Sequence, residues 1–151
     1  MVNLRFPFTV YHSSFTIIFM IKLEIVTPER RVLDTTVDLV TIPTSSGEVG
    51  ILPNHAPLIS GLKSGLLSYS IGATTEKMVI SGGFVEVGVN KVSVLTDIAE
   101  NAGDINVEKA KLEQSEAEKA LTGWTGTEED LAIEQAKLER SQARLQLAVG
   151  K

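Results

Sequence analysis

The chain has 151 residues, 43% of them hydrophobic, with a net charge of −5 and no cysteine. That length holds one ordinary domain or a small one with an appendage, and the apolar share belongs to a globular chain with a real core. The acidic balance argues against nucleic acid as a partner, and the lack of cysteine excludes a disulfide scaffold, a thiolate metal site and a cysteine nucleophile.

Residues 1–19, MVNLRFPFTVYHSSFTIIF, contain no acid, a single base (Arg5) and five of the eight aromatic residues. The apolar run FTIIFMI is short and no small-residue cleavage site follows it, which argues against a signal peptide. A membrane span needs about 20 continuous apolar residues, and Pro7, Tyr11, His12, Ser13 and Ser14 interrupt. The stretch is therefore read as an N-terminal extension, disordered or preceding a genuine start at Met20.

Residues 20–103 carry a period of two. Leu23 and Ile25 alternate with Lys22 and Glu24, and Val40 and Ile42 with Leu39 and Thr41. Leu67, Tyr69 and Ile71 oppose Leu66, Ser68 and Ser70, while Val85, Val87 and Val89 lead through Asn90-Lys91 to Val92 and Val94. Short strands about 8–12 residues apart, separated by Gly, Pro and Ser turns, predict an antiparallel β-sandwich or flattened barrel. Ser81-Gly82-Gly83 is too short to cradle a phosphate and has no following lysine at a helix start. Its glycines are expected to supply positive φ in a tight turn.

Residues 104–151 hold 17 of the 33 charged residues, no proline, and many Ala, Glu, Lys, Leu and Gln, all strong helix formers. Thr122-Gly123-Trp124-Thr125-Gly126 divides the segment, and Thr127 before Glu128, Glu129 and Asp130 is a capped helix start. Leu131, Leu138 and Leu145 recur every seven residues beside Ala132, Ala136 and Ala143, facing Ala110, Ala117 and Leu121 of the first helix. Small residues on both helices permit close antiparallel approach, so an α-helical hairpin domain is predicted to follow the sandwich. A pair of helices this short is marginal alone. It must dock on the sandwich or on a partner.

Nothing in this inventory assembles an enzyme. His55 is the single histidine of the β-half and no serine occupies a nucleophile elbow. No histidine–acid cluster has metal-ligand spacing, so neither a metal nor a catalytic residue is assigned. His55, between Pro53 and Pro57, is read as hydrogen-bonded within its own loop.

Residues 47–58, GEVGILPNHAPL, resemble the signature of the epsilon subunit of bacterial F-type ATP synthases. The likeness extends to MIKLEIVTPERRVLD at 20–34, to SGGFVEVGVNKVSVLTD at 81–97, and to the length and position of the helical tail. It implies a non-catalytic rotor component of the proton-translocating synthase. The sandwich would sit at the foot of the central stalk, binding the gamma subunit and the c-ring, peripheral to the bacterial plasma membrane on its cytoplasmic side. The hairpin would fold down on the sandwich or extend toward the alpha and beta subunits of the catalytic head, where it inhibits ATP hydrolysis.

By this resemblance the stretch from 47 is a docking loop, its backbone fixed by prolines and glycines, that presents Glu48, Val49, Ile51, Leu52 and His55, with Glu48 in a Gly-flanked turn facing the c-ring. Beyond Glu139 the only charges are Arg140, Arg144 and Lys151; Arg140 and Arg144 either meet acidic surface on the catalytic head when the hairpin extends or serve only to compensate the helix dipole. Some members also hold the hairpin down with ATP, using a first helix that opens with Ile or Leu, Asp, two variable residues, Arg and Ala. Here the matching residues are Ile105, Asn106, Lys109 and Ala110. Asn106 replaces the acid and Lys109 the arginine, so a charged acceptor and a planar fork are both lost. Even with Arg140 and Arg144 nearby, a degenerate site that binds ATP weakly or not at all is expected, and no cofactor is assigned. The alternative is a free-standing β-sandwich adaptor whose hairpin recruits some other protein.

Overall fold

A computed structural model describes residues 20–150. The expected N-terminal extension at 1–19 lies outside the described residues, as does residue 151. Ten strands among the described residues form two five-stranded sheets. They are β1 (Ile21–Val26), β2 (Arg31–Val37), β3 (Leu39–Thr44), β4 (Gly47–Ile51), β5 (Leu58–Gly61), β6 (Gly65–Ile71), β7 (Thr74–Ser81), β8 (Phe84–Gly88), β9 (Lys91–Leu95) and β10 (Ile98–Glu100). One sheet runs β2-β1-β9-β8-β5 and the other β10-β7-β6-β3-β4.

Period-two alternation decides what lies between the sheets. Ile21, Leu23 and Ile25 of β1 point inward with Val85 and Val87 of β8 and Val92 and Val94 of β9. From the other sheet come Val40, Ile42, Ile51, Leu67, Met78 and Ile80. The buried members of this cluster all belong to strands, so the sandwich core is built without the helices. The β7–β8 turn behaves as the glycine pair predicts: φ is +73° at Gly82 and +87° at Gly83, and a Cβ at Gly83 would collide with the Leu95 carbonyl.

Two features go beyond the sequence pattern. β1 pairs β9 in parallel, Leu23 opposite Val92 and Ile25 opposite Val94, whereas the other named pairs are antiparallel. After β9 the chain crosses to the other sheet as the three-residue β10, antiparallel to β7 with Glu100 opposite Val79. Three residues are too few to show a period.

A one-turn 3-10 helix, Ala102–Asp104, leads to α1 (Val107–Leu121) and α2 (Glu128–Val149), which pack on one another as the predicted hairpin. Thr127 caps α2, its Oγ1 accepting from the Asp130 backbone N–H at 3.1 Å. Ala110, Ala117, Ser141 and Ala143 are buried, so small side chains do bring the helices together. α2 rests on β7 and β6.

Candidate functional site: the hairpin seat and the docking loop

The seat is legible in the burial of β7. Thr74–Lys77 are exposed, but Met78, Val79, Ile80 and Ser81 are all buried. Met78 and Ile80 belong to the core, whereas Val79 is fully buried on the opposite face and outside that cluster. Its cover is α2. The strand pairing puts Leu66, Val79 and Glu100 in one row across β6, β7 and β10, directly under the helix.

At the end of that row Arg144 meets two carboxylates. Its Nε and Nη2 donate to Glu100 at 2.7 and 2.8 Å, and its Nη1 donates to Glu113 on α1. The bond to Glu100, opposed by burial but aided by the charges of both acids, raises the guanidinium pKa above its ordinary value. Arg144 therefore stays charged. A second bridge, Lys63 Nζ to Glu139 at 2.8 Å, ties the β5–β6 turn to α2. Elsewhere the seat is open. Clefts of about 530 and 480 Å³ flank α2, the first bordered by Gln142, Gln146 and Lys77, the second by Asp97 and Arg140. Arg140 Nε is buried and has no hydrogen-bond partner.

Of the residues matched to the nucleotide-binding pattern, Ile105, Asn106, Lys109, Ala110 and Arg144 line one cavity of about 160 Å³, together with Glu100 and Asp104. Arg140 lies elsewhere, on the second cleft. The cavity is smaller than the roughly 300–1,000 Å³ of ordinary ligand pockets. Asn106 caps α1, its Oδ1 accepting from the Lys109 backbone N–H at 2.9 Å.

The docking surface is narrower than expected. Glu48 is exposed on the edge strand β4, opposite Pro43, rather than in a turn. Leu52 is 59% exposed. His55 is half-buried, its Nδ1 donating to the Ala56 carbonyl at 2.6 Å, within its own loop. Val49 packs against the core and Ile51 is only 1% exposed. Ile51 must therefore be taken off this surface. It and Val49 alternate with Glu48 and Gly50 along β4, so the strand turns their side chains inward.

Sequence reasoning missed Glu100 and Glu113, because partners 44 and 31 residues from Arg144 leave no local signature. It also missed an apolar patch on the outer face of the first sheet. Phe84 and Leu95, 47 and 38% exposed, stand directly opposite one another there with Val26 next in the row, and Ile59, 74% exposed, lies one row away opposite Glu86. No helix among the described residues is long and apolar enough to cross a membrane.

Two family models match. The β-sandwich domain of the ATP synthase delta/epsilon chain covers residues 20–102, and the long α-helix domain of the same chain covers 104–148. An ATP synthase epsilon chain of Carboxydothermus hydrogenoformans is 50% identical over 101 residues, 67% of this chain and 75% of the relative. One from Anaeromyxobacter sp. is 44% identical over 128 residues, 85% of this chain and 97% of the relative. Among solved structures, a chain of the Euglena gracilis mitochondrial ATP synthase (OSCP/F1/c-ring) superposes with a TM-score of 0.72 at 27% identity, covering 87% of this chain and 82% of its own. A chain from the central stalk and c-ring of the Tetrahymena thermophila mitochondrial enzyme shares the fold, with a TM-score of 0.56 at 14% identity over 86% of this chain and 94% of its own.

Proposed function

The chain belongs to the ATP synthase delta/epsilon family, as an epsilon subunit, and from that premise we propose that it is a non-catalytic regulator whose hairpin restrains ATP hydrolysis. The carrying observation is the seat itself. The sandwich has a complete core of its own, and the helices rest on it through Leu66 and Val79, two ion pairs and otherwise open clefts. A rigid platform with a weakly held helix pair is a two-state element, and a partner that binds the extended form better shifts its population.

The partner assignments follow from surface chemistry. Gamma is placed on the Ile59–Phe84–Leu95 face, whose exposed apolar side chains on a rigid sheet suit a permanent protein contact. Glu48 and Leu52, beside a loop fixed by Pro53 and Pro57, are placed against the c-ring, where rigidity lowers the entropy lost on binding. The subunit then lies peripherally on the cytoplasmic side of a bacterial plasma membrane. Arg140 and Arg144, once the hairpin leaves its seat, face the catalytic head. Nucleotide has little purchase here, because an incoming phosphate meets Glu100 and Asp104 and competes for a guanidinium already held by two acids.

ATPase of the assembled complex, with and without residues 104–151, tests the reading. Truncation should raise hydrolysis, and reversing the charge of Arg140, which holds no carboxylate in the seat, should do so with helix content intact. Equal ATPase in all three complexes sinks it. Co-purification with gamma separates this reading from a free-standing adaptor.

A further inference from the structure

Arg144 sits where three elements meet, and its guanidinium is divided between them. The Nε–Nη2 edge makes the paired contact with Glu100 of β10, which leaves Nη1 for Glu113 of α1. The first contact holds α2 to the sandwich and the second holds α2 to α1. The Arg144 side chain is 14% exposed and each carboxylate 24%. At that shielding, charge-assisted bonds are screened less than those of freely solvated pairs, whose net effect is near zero. The Glu100 contact is also placed to matter, because the clefts beside α2 offer few alternatives.

We infer that Arg144 is a shared latch that makes closure of the hairpin and its docking on the sandwich one cooperative event. This deepens the regulatory reading above and rests on it. The planar fork holds a single orientation only while both acids are present. Loss of Glu113 frees the guanidinium to swing, which weakens the grip on Glu100 although Glu113 touches nothing on the sandwich through this bond. Loss of Glu100 likewise loosens the α1–α2 contact. Lysine cannot replace the arginine, since one ammonium lacks the second edge. Release leaves Arg144 unpaired near Arg140, whose Nε has no partner even when docked, so undocking and the growth of a cationic surface on α2 coincide.

The chain has no cysteine, so spin labels can be placed on Leu112→Cys of α1 and Val89→Cys of the β8–β9 turn, which are 58% and 89% exposed. Pulsed distance measurements on the isolated full chain then read docked against released hairpin. Glu100→Gln and Glu113→Gln should each lower the docked-to-released ratio by about tenfold, the scale of one hydrogen bond to a charged group. The double variant should fall little further, because both act on one guanidinium. Arg144→Lys should behave like either single variant. The sandwich core contains no helix residue, so circular dichroism can confirm that the strands persist in each case. A Glu113→Gln distribution identical to the parent, effects of the two glutamates that multiply, or a parent already broadly released each overturn the latch. None of those results touches the ATPase comparison, which judges the regulatory reading alone.

Discussion

Removing the hairpin altogether measures how much the sandwich depends on it. A chain of residues 20–103 keeps all ten strands and every buried member of the core cluster. What it loses is the cover over one row: Val79 passes from fully buried to exposed, and half-buried Leu66 is uncovered further. Fully burying a valine contributes about 1.5–3 kcal/mol, so with part of a leucine the loss is about 2–3 kcal/mol. Glu100 adds little, because its cation departs with the helix and water replaces it. Against a typical total of about 5–15 kcal/mol the fragment should still fold. At about 4–8 °C per kcal/mol for a domain of this size, its Tm should fall by roughly 10–20 °C. Thermal unfolding followed by circular dichroism, with amide exchange at Leu23, Val85 and Val92, reads both quantities. A broad, non-cooperative melt with unprotected amides would refute the claim that the strands alone make the core. An unchanged Tm would refute the claim that α2 covers Val79.

Glu48→Lys should leave the unfolding free energy within about 0.5 kcal/mol of the parent, since an exposed edge-strand side chain has little to lose, while proton-driven ATP synthesis by the assembled complex declines; unchanged synthesis removes Glu48 from the c-ring surface. Gly83→Ala should destabilise the sandwich by at least about 2 kcal/mol in denaturant titration, because the backbone is left-handed there and the added carbon strikes the Leu95 carbonyl. Calorimetric titration of the isolated chain with ATP should show weak binding or none, and a dissociation constant in the low micromolar range would mean that nucleotide displaces Glu113 or Glu100 from Arg144.

Local chemistry left clear marks in this sequence. Alternation in KLEIV and FVEVG determined which side chains enter the core, since successive strand residues face opposite sides. Gly82-Gly83 specified a turn that only positive φ can make, and Thr127 with three acids specified where α2 begins. The family signature at 47–58 was readable for a similar reason, being contiguous. Alternation within that stretch also held the information that Ile51 points inward, but the glycines and prolines around it suggested loop.

Pairing across the chain was decided elsewhere. A period of two states that a segment is a strand and is silent on its neighbour, so the parallel β1–β9 pair and the short β10 emerge only when both sheets close over one core. Val79 reads as one more apolar residue in a run, and becomes a seat only because α2 lies across it. Arg144 reads as a solvated cation near a helix end. Its acids stand 44 and 31 residues away, and electrostatic attraction depends on distance through space, which the order of residues along a chain does not contain until the chain has folded.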